Sequence, residues 1–99
     1  SGDFDASKVE AMIRKRRAAF QRCYEKELQK NPTLSGKVTV TFTIQESGSV
    51  TGARATNNTS NNSALAACVV GTFRRFRFNP GPSGGSVTYS YPIVFAPQQ

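Results

Sequence analysis

Lys37 to Glu46, KVTVTFTIQE, constrains this chain more than any other stretch. Val38, Val40, Phe42 and Ile44 alternate with Thr39, Thr41, Thr43 and Gln45, the period-two pattern of a strand with one face on a core and one toward water. Four β-branched or aromatic side chains on one face need a cover. The chain supplies one from both sides, with a long amphipathic segment before the strand and a shorter one after it.

Asp5-Ala6-Ser7 leads into the first helix, with Ser7 as N-cap and Glu10 completing a capping box. Val9, Met12, Ile13, Phe20, Cys23, Tyr24 and Leu28 then fall on one side at helical spacing, and Asn31-Pro32 ends the run, because proline disfavours helical geometry in the residue before it. A helix of about 24 residues spans about 36 Å and a ten-residue strand about 33 Å, so the two match in length. Arg16 and Glu27 interrupt the apolar sector; Arg16 is expected to lay its stem along the border of the packed face with its charge in water.

After the first strand, Glu46-Ser47-Gly48-Ser49 reads as a hairpin turn, followed by a weaker strand from Val50 to about Thr56. Gly52 and small alanines in it point to an edge strand or a bulge. Asn57 to Ser63 is a polar loop, and Asn62 or Ser63 caps a second helix running to about Arg75 with the stripe Leu65, Cys68, Val69, Thr72 and Phe76. A turn region, Asn79 to Gly85, precedes a third strand from Ser86 to Phe95. There Val87, Tyr89, Tyr91, Ile93 and Phe95 alternate with Thr88, Ser90, Pro92 and Val94.

The expected fold is therefore α+β, in the order α-β-β-α-β, as one domain over residues 1–99 with an ordered core at about 6–96. The first two strands form a hairpin and the second helix returns the chain along the sheet, so an all-antiparallel sheet takes the order 2-1-3 with both helices on one face. The third strand is then an edge, and Pro92 agrees, since a missing N–H is tolerated where it would point outward. Between Ser86 and Phe95 that edge carries no Lys or Glu to blunt it. Thr88, Tyr89, Ser90, Tyr91, Pro92, Ile93 and Val94 are the candidate site, an edge to which a partner strand adds.

Catalytic chemistry has little to work with. The chain has no histidine, the usual base for a serine or cysteine nucleophile, and two cysteines without histidine leave a Cys/His metal site short of ligands. No metal and no cofactor are expected. The glycine-rich Pro80 to Gly85 follows a helix and precedes a strand, the reverse of a phosphate-cradling loop. No apolar run approaches the roughly 18 residues that span a bilayer. The opening Ser1-Gly2, without methionine, is expected of a segment of a longer protein.

Thirteen Lys and Arg against six Asp and Glu give a net charge of +7, which attracts nucleic acid, anionic lipid or acidic protein and equally serves solubility. Arg74, Arg75 and Arg77 interleave with Phe73, Phe76 and Phe78, a mix found where nucleic acid stacks on rings and pairs with guanidinium. Core aromatics beside exposed arginines account for it more simply, and a nucleic-acid binder remains the rival reading. Cys23 and Cys68, on the buried faces of the two helices, are either two buried thiols or a bridge; facing stripes favour the bridge, which implies an oxidising compartment.

Several strings carry a resemblance: Cys23-Tyr24-Glu25, Asn31-Pro32-Thr33-Leu34-Ser35-Gly36-Lys37-Val38, Gly48-Ser49-Val50, Cys68-Val69, Phe76-Arg77-Phe78, Gly84-Gly85 and Tyr91-Pro92-Ile93-Val94-Phe95. In order and spacing the chain resembles the TonB-like C-terminal domains, especially the AgmX/PglI (GltJ-type) branch associated with gliding motility. Phe76 stands where such domains often carry tryptophan. The resemblance implies a non-enzymatic periplasmic module at the C-terminal end of an inner-membrane protein, coupled through the rest of the chain to a motor complex. Its partner would be a segment of an outer-membrane or periplasmic protein, gripped by strand addition to the third strand. It also supports the Cys23–Cys68 bridge, because the matching strings occur as a pair in that branch. Arg14, Lys15, Arg17, Arg74 and Arg75 are, on charge alone, candidate contacts to acidic partner segments or peptidoglycan, and a strand-swapped homodimer through the same edge is a third reading.

Overall fold

In the computed structural model, which describes residues 2–97, three helices and three strands follow in the order α1 (Ser7–Lys15), α2 (Arg17–Leu28), β1 (Gly36–Ile44), β2 (Val50–Asn58), α3 (Ser63–Arg74) and β3 (Val87–Phe95). The sheet is antiparallel in the order β2-β1-β3, as the chain connectivity requires. Val38, Val40, Phe42 and Ile44 of the central strand are wholly buried. They meet Phe20, Cys23 and Tyr24 of α2 and Leu65, Val69 and Phe73 of α3 in one core.

The expected single first helix is two. At Arg16 the backbone leaves helical geometry (φ −102°, ψ 18°), and its N–H is shared between the carbonyls of Met12 and Ile13 at 3.0 and 3.1 Å. No glycine or proline marks the break. No side chain from Arg14 to Ala18 is buried, so no packing holds that turn in register. Arg16 accordingly sits exposed at the junction instead of lying along the packed face.

The start of α1 also differs from expectation. Ser7 makes no side-chain cap; the Asp5 carboxylate, two residues earlier, accepts the Ser7 N–H at 3.0 Å. That hydrogen bond holds the Asp5 carboxyl below the usual carboxylate range. Asn62 caps α3 as expected, its Oδ1 accepting from the Leu65 N–H at 2.8 Å, while its Nδ2 donates to Glu27 Oε1 at 3.1 Å. Glu27, the second interruption of the apolar stripe, is thus a buried carboxylate tying α2 to the cap of α3. The Tyr24 hydroxyl donates to the Leu34 carbonyl between α2 and β1, and burial pushes its ionisation upward.

β2 runs two residues further than expected, to Asn58, and its register against β1 slips twice. One slip falls at Gly52, whose φ of +64° fits the bulge its glycine implied. Gly48, in the β1–β2 hairpin, is placed differently. It has φ +90°, and a Cβ there would run into the Phe78 carbonyl, whose own N–H donates back to the Gly48 carbonyl at 2.9 Å. Gly48→Ala is therefore expected to cost about 3 kcal/mol, from a strained backbone and a displaced neighbour together. Gly52→Ala, with open space around its Cβ, should cost about 1 kcal/mol, the backbone penalty alone. Urea denaturation of the two variants measures the difference, and equal losses would contradict it.

Candidate functional site

β3 pairs with β1 in an unbroken register from Gly36–Phe95 to Ile44–Val87. Pro92 has no N–H to donate, so its pair with Thr39 is a non-hydrogen-bonded one. Ladder alternation then makes Lys37–Val94, Thr41–Ser90 and Thr43–Thr88 the same kind. Side chains approach most closely in such pairs, and the hydroxyls of Thr41 and Ser90 lie 2.7 Å apart, those of Thr43 and Thr88 2.9 Å. The backbone groups of Thr88, Ser90, Pro92 and Val94 therefore point away from β1, offering three amides and four carbonyls to the open side.

Among the described residues no strand pairs with this edge. The N-terminal segment comes near but stops short: the Gly2 N–H donates to the Ser86 carbonyl at 2.9 Å, and Asp3 pairs with Ser83. Phe4 then turns inward against Phe78 and Tyr89. Thr88, Ser90, Pro92 and Val94 are exposed, with Val94 at 72%, while Ile93 and Phe95 face the core.

Alongside the last third of β3 runs a cleft of about 190 Å³ between the sheet edge and the α1–α2 junction. Ile13, Phe20, Ile93 and Phe95 supply its apolar surface, and Arg14, Arg17 and Gln21 its polar wall. The structure thus brings Arg14 and Arg17 to the edge, with Lys15 beside them around an adjoining concavity, while Arg74 and Arg75 sit at the end of α3. Lys15 also borders a further concavity with Lys8 and Arg77. Arg74 reaches the Ala53 carbonyl on β2 at 3.4 Å, on the opposite edge of the sheet, and Arg75 bonds Thr72 at 3.5 Å. Sequence reasoning placed Ile13 and Phe20 in the core stripe and missed their second role. The only signal was their seven-residue spacing, two helical turns, with Arg14 and Arg17 between them.

Phe73, Phe76 and Phe78 are buried, so their rings present no face on which bases could stack. Cys23 and Cys68 form a disulfide with Cα atoms 5.7 Å apart, joining α2 to α3. Among the described residues no group of three or more His, Cys, Asp or Glu side chains could hold a metal ion, and no helix is long and apolar enough to cross a membrane.

A two-layer α+β fold with a free sheet edge and a cross-linked helical cover defines a small protein-interaction domain. Residues 26–97 match the family described as Gram-negative bacterial TonB protein C-terminal, and the chain belongs to it. Domains of this family are periplasmic interaction modules of energy transduction. The fold is also similar to the solution structure of the Helicobacter pylori TonB C-terminal domain, with a TM-score of 0.53 at 17% identity over 98% of each chain. No individual curated protein matches the chain. The AgmX/PglI resemblance is finer than the family found here.

Proposed function

We propose that this domain takes up an extended segment of an outer-membrane or periplasmic protein as a fourth strand on β3. In this reading it is the periplasmic end of an inner-membrane-anchored complex that transmits force or energy, of the gliding-motility type. The observation that carries the reading is the edge itself, whose seven outward backbone groups have no strand partner among the described residues and no charged side chain from Ser86 to Phe95 to repel one. Such an edge is an aggregation hazard, and a domain that keeps it bare gains a binding site in exchange. The gliding assignment draws on the paired cysteine strings and the Tyr91-Pro92-Ile93-Val94-Phe95 segment.

Lysine at position 90 tests strand addition. Ser90→Lys places a charge on the strand without touching the bonds to β1, beyond losing the Thr41 hydroxyl contact. Peptides from periplasm-facing segments of outer-membrane proteins, titrated while the amide signals of Thr88, Ser90 and Val94 are followed, should bind the variant about tenfold more weakly with an unchanged fold. Unaltered affinity would remove the edge from the mechanism. Sedimentation of the free domain reports whether a second copy occupies the same edge.

A further inference from the structure

We infer that the cleft beside β3 selects the partner strand, admitting one with acidic side chains at two alternate positions next to an aliphatic one, all three turned toward the helices. This inference rests on strand addition to β3 and specifies the partner it would accept. A strand laid on that edge points every second side chain toward the helical layer, about 6.8 Å apart. Toward its Phe95 end these side chains enter the cleft between the sheet edge and the α1–α2 junction. Ile13, Phe20, Ile93 and Phe95 offer a place for one aliphatic side chain. Arg14, near the end of α1, and Arg17, at the start of α2, line the same cleft from either side of the Arg16 break and offer two guanidinium groups to two carboxylates.

Neither guanidinium has an ion-pair partner among the described residues, where the single salt bridge is Lys30–Glu27. The net charge of +7 steers an acidic segment to the same place. A second copy of the chain fits less well. Its β3 has no carboxylate to offer to Arg14 and Arg17. Val94, on the other face of the edge, adds an apolar contact for the intervening partner residues.

Short random peptides displayed on phage and panned against the oxidised domain test this directly. Enriched sequences should carry Asp or Glu at two alternate positions beside Leu, Ile or Val. Their affinity should fall about fivefold in Arg14→Gln/Arg17→Gln, and the reversed pair Arg14→Glu/Arg17→Glu should enrich Lys or Arg at the same positions. Enriched peptides without acidic bias that still lose binding to Ser90→Lys would overturn the selection and leave strand addition standing. An equal loss in Arg74→Gln/Arg75→Gln, at the end of α3 and outside the cleft, would reduce the effect to diffuse charge and overturn it too. Peptides indifferent to Ser90→Lys, or no enrichment at all, would overturn both readings.

Discussion

Replacing Cys23 and Cys68 together by alanine is expected to lower the stability of the domain by about 4 kcal/mol, a large share of the roughly 5–15 kcal/mol available to a domain of this size. The bridge closes a sequence separation of 45 residues that contains both strands of the hairpin, β1 and β2. Without it, the unfolded chain regains the freedom of that loop. The folded form loses the tie that holds α2 against α3 over the sheet. The melting temperature should fall by about 20 °C, and reducing the native protein with dithiothreitol should reproduce the loss within error. A change of less than about 1 kcal/mol in denaturant would mean that side-chain packing alone holds the helices together. A domain this dependent on its bridge suits an oxidising compartment, in agreement with the periplasmic setting of its family.

Phe73→Ala is expected to cost about 4 kcal/mol, whereas Arg74→Ala next to it should stay within about 0.5 kcal/mol. The Phe73 ring lies 5.5 Å from Phe20, 5.0 Å from Phe42 and 4.9 Å from Phe76 between centroids, at the meeting point of α2, β1 and the end of α3. Truncating it opens a cavity that three other rings cannot close without leaving their own contacts. Arg74 is exposed, and its hydrogen bond to the Ala53 carbonyl at 3.4 Å is long. Thermal and urea unfolding of both variants measure the contrast. Comparable effects at the two positions would contradict the division of this segment into core aromatics and surface cations.

That division shows where reading residues in order reaches its limit. The alternation of Phe and Arg from Phe73 to Phe78 reads first as core aromatics beside exposed arginines, with a stacking surface as the rival. Only burial decides between them. Phe73 and Phe76 straddle the end of α3 at Arg74, and Phe78 lies past it, fastened to the β1–β2 hairpin through Gly48. All three rings reach the same core by different backbone routes, and helical spacing describes the first of those routes alone.

The sequence by itself determined the three strands and the sheet order. The period-two patterns of β1 and β3, the connectivity of a hairpin followed by a returning helix, and Pro92 as the mark of an outer strand all follow from local sterics and chain topology. It also brought Cys23 and Cys68 to facing surfaces. Tertiary structure alone decided that the first helix breaks at Arg16, that Asp5 and not Ser7 serves its first turn, and that Arg14 and Arg17 flank the free edge while Arg74 reaches β2 across the sheet from it and Arg75 bonds Thr72. Backbone periodicity is written in neighbouring residues. Which side chains share a cleft depends on how two helices cross a twisted sheet, and that arrangement is set by the packing of residues distant in the chain.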